Sequence, residues 1–169
     1  ECVNNRTGPK ITKQEVLDIK QVLSLYGIKY VTVSTEAEFF CAELVIKGMF
    51  DYVWSTDMDV IIRGGNIMKS IGQELYILCA HNVYEVISQA DLAKIAVMLG
   101  CDFAPKTLRV GPKNALKKLG SNLTERQLLA LNFLRSPINM RSVIMENPST
   151  NPNKRALCSW LMELKKKKK

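Results

Sequence analysis

Residues 28–65 read IKYVTVSTEAEFFCAELVIKGMFDYVWSTDMDVIIRGG, and this stretch decides the fold. Ile28 to Val33 is largely β-branched and aromatic, the composition of a short buried strand. Thr35 stands as N-cap of a helix from Glu36 to about Ile46, which ends at Gly48. Tyr52 to Ser55 predicts a second strand, followed directly by the acidic turn Asp57-Met58-Asp59. Gly64-Gly65 then breaks the chain. Strand alternating with helix predicts an α/β fold with a mainly parallel sheet covered by helices.

Working outward, residues 11–26 place Ile11, Val16, Ile19, Val22, Leu23 and Tyr26 at helical spacing. Thr12 and Glu15 have the spacing of a capping box, and Gly27 supplies the stop. On the other side, Ile67–Ile71 and Leu75–Cys79 are expected to pair as strands, and Asp91–Leu99 to form an apolar helix. From Pro105 the character changes. Short helices are expected at Pro112–Leu119, Thr124–Leu134 and Arg155–Leu164, with no convincing strand among them. The expected organisation is an N-terminal extension (1–10), an α/β region (11–103), a small helical module (104–164) and a basic tail (165–169).

The net charge is +8, but five of those charges are the run Lys165 to Lys169, which leaves +3 for the rest. Such a run reads as a solvated tail, with non-specific phosphate attraction or nuclear import as its functional alternatives. Charge alone permits a nucleic-acid partner without demanding one. With 47% apolar and 24% charged residues, the composition is that of an ordinary globular chain. No apolar run reaches the roughly 18 residues of a membrane span, so no membrane partner is expected. The five cysteines are odd in number and lack a Cys-x-x-Cys pair, which argues for reduced intracellular thiols over a zinc site or a disulfide framework. His81, the single histidine, has no triad-like surroundings and reads as a surface or partly buried residue.

Five carboxylates stand out by position. Glu36 and Glu38 lie where strand gives way to helix, Asp57 and Asp59 follow the next strand, and Asp102 ends an apolar helix. Strand ends and helix starts converge on one edge of an α/β sheet, so acids distant in sequence can share a pocket there. Two ionised carboxylates about 4 Å apart repel by roughly 4 kcal/mol at an effective dielectric of 20. Hard divalent cations relieve that repulsion, and a pair of them supports in-line phosphoryl displacement. Each acid also has a local explanation. Thr35 and Glu38 can form a capping box, Asp57 can cap a short helix, Asp102 a turn, and Glu36 can favour the helix dipole.

Three ordered motifs resemble the flap endonuclease and xeroderma-pigmentosum-G-type 5′ nuclease family. They are the helix, Gly-Ile-Lys-Tyr strand and Glu-Ala-Glu of residues 11–48; STDMDVIIRGG at 55–65; and ADLAKIAVMLGCDFAPKTLRVGPKNALKKL at 90–119. Eighteen residues separate Glu38 from Asp57, in keeping with the family's short spacing. The resemblance implies part of a PIN-like three-layer nuclease domain, followed by an all-helical, helix-turn-helix-type DNA-binding module. It implies that Glu36, Glu38, Asp57, Asp59 and Asp102 are catalytic metal ligands for two Mg2+ ions, replaceable by Mn2+. It implies that Gly111 and Lys113 grip the backbone of duplex DNA, with Lys117 and Lys118 adding charge, and Arg109, beside them, is expected to meet a phosphate.

The departures are specific. Arg109 stands where the family hairpin has its first glycine, and Cys101 where a serine precedes the last aspartate. No sliding-clamp motif is present. The family's first strand, two further aspartates and threading arch are expected to precede residue 11, so the chain reads as a fragment. The expected function is two-metal hydrolysis of DNA phosphodiesters at single-strand/duplex junctions, in replication or repair, by an intracellular monomer that is nuclear in a eukaryote. A non-catalytic duplex-binding remnant and an RNA-directed nuclease of related fold are the alternatives.

Overall fold

The structure, a computed structural model, describes residues 11–138, 144–146, 155–156 and 159. The helix expected at 155–164 lies mostly outside them, as does the lysine tail. The elements fall into two compact units, each with its own contacts.

One unit contains α1 (Lys13–Leu25), β1 (Tyr30–Thr32) and β5 (Ile144–Glu146). The capping box of α1 forms as expected. Thr12 Oγ1 accepts from the Glu15 N–H at 3.2 Å, and Glu15 Oε2 accepts from the Thr12 N–H at 2.7 Å. β1 pairs antiparallel with β5 in the register Tyr30 to Glu146 and Thr32 to Ile144. This corrects two expectations: a strand does follow residue 105, and β1 is only partly buried, with Val31 exposed.

The other unit carries α2 (Ala37–Ile46), β2 (Val53–Trp54), α3 (Asp59–Arg63), β3 (Ile67–Ile71), β4 (Glu74–Leu78), α4 (Ala80–Tyr84), α5 (Gln89–Leu99), α6 (Pro112–Ala115) and α7 (Glu125–Arg135). A 3₁₀ turn, Leu116–Lys118, extends α6. The sheet order is β2-β3-β4. β2 runs parallel to β3, whereas β3 and β4 pair antiparallel, so the sheet of this α/β fold is mixed. The reason is covalent: only Gly72 and Gln73 separate Ile71 from Glu74, and so tight a connection reverses the chain.

Ala42 of α2, Val60 and Ile61 of α3, Ile67 of β3 and Ala80 of α4 form one buried cluster, with Val53 and Leu78 packed against it. A second cluster joins Phe39 of α2 and Val97 of α5 to Ala104, Ala130 and Leu134. It therefore runs across the expected 103/104 boundary: α5 and α7 share a core, although one ends the α/β region and the other lies in the helical module. Among the described residues no helix is long and apolar enough to cross a membrane, and Cys41, Cys79 and Cys101 are free thiols.

Candidate functional site

Helix α2 begins one residue later than expected. Its N-cap is Glu36, extended at φ −60° and ψ 127°, with no side-chain cap hydrogen bond. The expected capping box from Thr35 is absent, so Glu38 is not spent on satisfying the helix start. What holds α2 is the burial of Phe39, Phe40 and Ala42, three of the first six helical residues. Glu38 is left half-buried beside them, and Glu36 exposed.

The second pair of acids is set by local hydrogen bonds. Ser55 Oγ accepts from the Asp57 N–H at 3.0 Å, and Asp57 Oδ1 accepts from the Asp59 N–H at 3.0 Å. These bonds fix the turn that leads into α3, whose N-cap is Met58 without a side-chain cap and whose first residue is Asp59, so the cap expected of Asp57 is not formed. Val60, Ile61 and Ile62 follow, all buried. Five residues make too short a helix to persist unaided. Tyr84 Oη donates to the Ile61 carbonyl at 2.5 Å, and Gln89 Nε2 to the Ile62 carbonyl at 2.9 Å, so side chains cap its end.

Asp102 is placed by a turn after α5. Gly100 has φ +93°, and a Cβ on it would lie 3.0 Å from the Lys106 backbone nitrogen, so glycine is required twice over. Cys101 and Ala104 then exchange backbone hydrogen bonds of 3.0 and 3.2 Å, leaving Asp102 exposed at the tip. Gln127, buried near the start of α7, donates to Thr107 Oγ1 at 2.7 Å and fixes the following loop.

These three segments put the other four acids within electrostatic reach of Asp59. Burial, then Asp57, Asp102, Glu38 and Glu36 in that order, push the Asp59 carboxyl up to about 6. Burial raises the neighbouring Cys101 thiol too, with Asp59 and Asp102 adding to it. The residue types suit a hard divalent cation, because all five offer carboxylate oxygen and their mutual repulsion is what such a cation removes. Yet among the described residues no group of three or more His, Cys, Asp or Glu is close enough to hold a metal ion as it stands. The site is a convergence of negative charge, short of a closed coordination sphere.

The basic residues expected to meet DNA gather around α6. Gly111 is its N-cap and Pro112 its first residue. Asn114 Oδ1 accepts from the Gly111 N–H at 2.7 Å, and Asn114 Nδ2 donates to the Arg109 carbonyl at 3.0 Å. Arg109 is the one non-glycine residue with positive φ (58°) among the described residues, which explains why a glycine suits this position. Arg109, Lys113, Lys117 and Lys118 are all exposed. We expect Arg109→Gly to raise folding stability by about 0.5–1 kcal/mol by relieving the left-handed backbone. Thermal denaturation checks this, and a lower midpoint would show that Arg109 is unstrained.

Reading the sequence missed Arg63. Its Nη1 donates to the Leu134 carbonyl at 2.7 Å and its Nη2 to the Ser136 carbonyl at 2.6 Å, while its guanidinium lies 4.4 Å from the Phe39 ring centre. The available signal was a lone cation closing the apolar run Val60-Ile61-Ile62, since a charge so placed needs partners.

Residues 27–102 match the family profile described as the XPG I-region. Flap endonuclease 1 of Branchiostoma floridae is 32% identical over 117 residues, which cover 64% of this chain and 31% of that protein. Flap endonuclease 1 of Leishmania major is 30% identical over 151 residues, covering 82% of this chain and 37% of that one. The DNA repair protein rad13 of Schizosaccharomyces pombe is 30% identical over 122 residues, covering 68% of this chain and 11% of that one. The chain thus spans about a third of the length of the flap endonucleases it matches. Among solved structures, flap endonuclease-1 from Methanococcus jannaschii is similar at a TM-score of 0.79, with 22% identity over 90% of this chain and 53% of that one. The catalytic core of Rad2 in complex with DNA substrate is similar at 0.68, with 17% identity over 90% of this chain and 63% of that one.

Proposed function

The chain belongs to the flap endonuclease/XPG family, and we propose that it serves a structure-specific nuclease that hydrolyses DNA phosphodiesters at junctions between single strand and duplex. The observation that carries this reading is the convergence on Asp59 of four other carboxylates, drawn from three segments of the chain. Glu36, Glu38, Asp57, Asp59 and Asp102 are the residues that would hold divalent cations, with Mg2+ as the physiological ion and Mn2+ as substitute. Two such ions would supply activation of the attacking water and stabilisation of the leaving oxygen. Substrate oxygens and water would complete coordination that the acids leave open.

The chain's own residues divide the remaining work. Asp57, by accepting from the Asp59 N–H, fixes the backbone at the start of α3 from which Asp59 projects. Arg109, Lys113, Lys117 and Lys118 offer positive charge to the duplex backbone, which fixes register without reading sequence. Flapped or branched DNA is the proposed partner, the protein acts as a monomer, and the nucleus is its place in a eukaryote.

A non-catalytic duplex-binding role is the second reading, favoured by the lack of a closed ligand group among the described residues. Titration of the melting midpoint with Mn2+ or Mg2+ separates the two. A cation at about 100 times its dissociation constant stabilises by about 2.7 kcal/mol, a rise of roughly 5–10 °C for a chain of this size. The rise should vanish in the Glu38→Ala, Asp57→Ala double variant. A midpoint indifferent to both ions, with no cleavage of a flap substrate, would leave only the binding role.

A further inference from the structure

Three of the acid-bearing segments meet again just behind the acids. Phe39 follows Glu38, Phe103 follows Asp102, and Arg63 ends the short helix that Asp59 begins. Phe39 and Phe103 lie 5.8 Å apart between ring centres, and Phe133 of α7 stands 5.4 Å from the first and 4.8 Å from the second. The Arg63 guanidinium covers the Phe39 ring at 4.4 Å. Its nitrogens also reach the carbonyls of Leu134 and Ser136, with a longer contact of 3.5 Å to that of Phe133. These carbonyls belong to the C-terminal end of α7, where orphan acceptors favour a cation.

We propose that Arg63 is a positioning residue: it locks the helix bearing Asp59 to the ring beside Glu38 and to the end of α7, and so sets the spacing of the carboxylates. This rests on the reading of those carboxylates as cation ligands. The geometry favours arginine because one planar fork donates in two directions while its face stacks on an aromatic ring. A lysine offers a point charge without the fork. A methionine keeps bulk against Phe39 but donates nothing.

The sign of the effect on cation binding identifies the role. Arg63 is a positive charge near the carboxylates, so removing it should strengthen Mn2+ binding if it acts only through its field. If it only supports the fold, the melting midpoint falls while the affinity of folded protein is unchanged. Positioning alone makes the affinity fall. Outer residues that orient metal ligands typically contribute 10–100-fold to affinity, so Arg63→Met should weaken Mn2+ binding at least about tenfold.

The test is Mn2+ affinity by electron paramagnetic resonance, on the full chain and well below each variant's melting midpoint. Arg63→Lys is expected between wild type and Arg63→Met. Phe39→Leu, which removes the ring under the guanidinium, should shift affinity in the same direction and serves if Arg63→Met does not fold. Unchanged or stronger Mn2+ binding in a folded Arg63→Met, or in Phe39→Leu in its stead, overturns the positioning role and leaves the carboxylate reading intact. Failure of the wild-type chain to bind Mn2+ overturns both.

Discussion

Replacing Asp59 with asparagine is expected to stabilise the cation-free protein at neutral pH while removing the stabilisation that divalent cations confer. The Asp59 carboxyl is raised from 3.8 to about 6, first by burial and then by the four neighbouring acids. Between those two values the folded state holds a proton that the unfolded state has lost. Stability therefore falls as pH rises from about 4 to about 6, and above that the penalty is fully present. A carboxyl raised that far would cost about 3 kcal/mol if it were wholly shielded from water. Asp59 is only half-buried and solvent screens part of the repulsion, so about 1–2 kcal/mol is the expected penalty. Asp59→Asn should recover that amount at pH 7, a rise of roughly 2–8 °C in melting midpoint. It should also flatten the dependence of the midpoint on pH between 4 and 6. The backbone N–H of residue 59 still donates to Asp57, so the turn leading into α3 is kept. Melting curves from pH 4 to 8 in chelator, repeated with Mn2+, check both halves. A variant that melts lower than wild type at pH 7 would mean that the carboxylates do not oppose one another. Functional sites commonly retain such unfavourable charge because a ligand relieves it.

The largest loss of stability is expected at Gly65. A Cβ there would lie 2.9 Å from the Ala42 Cα, 2.9 Å from Val60 Cγ1 and 3.0 Å from the Ala42 Cβ. Two of these atoms belong to the close approach of α2 itself, which has no flexible side-chain end to move aside. Gly65→Ala should destabilise by about 1–2 kcal/mol and Gly65→Val by about 3 kcal/mol or more, following the usual penalties of overpacking. For the valine that is a fall of roughly 6–12 °C in midpoint. Gly120, with nothing within 4 Å of its added Cβ, is the control, and alanine there should change stability by no more than about 0.5 kcal/mol. Equal effects at Gly65 and Gly120 would contradict the packing of α2 against this turn. Because α2 carries Glu38, a folded Gly65→Ala should also bind Mn2+ more weakly.

The sequence by itself determined what is decided within a few residues. The capping box at Thr12 with Glu15 formed as spaced, because donor and acceptor lie in one helical turn. The hairpin of β3 and β4 and the acids flanking elements were legible for the same reason. Other features answered to groups far along the chain. Thr35 has the spacing of a cap, but burial of Phe39, Phe40 and Ala42 starts α2 at Ala37 and leaves Glu38 free of a capping role. Arg63 finds its acceptors 71 and 73 residues away, a partnership that no local spacing encodes. The pairing of β1 with β5 joins segments more than a hundred residues apart. The carboxylates were visible from spacing and family resemblance, but the proton affinity of Asp59 was not. It depends on how deeply α3 is buried and on which acids the fold brings up to it, and only the tertiary structure decides those.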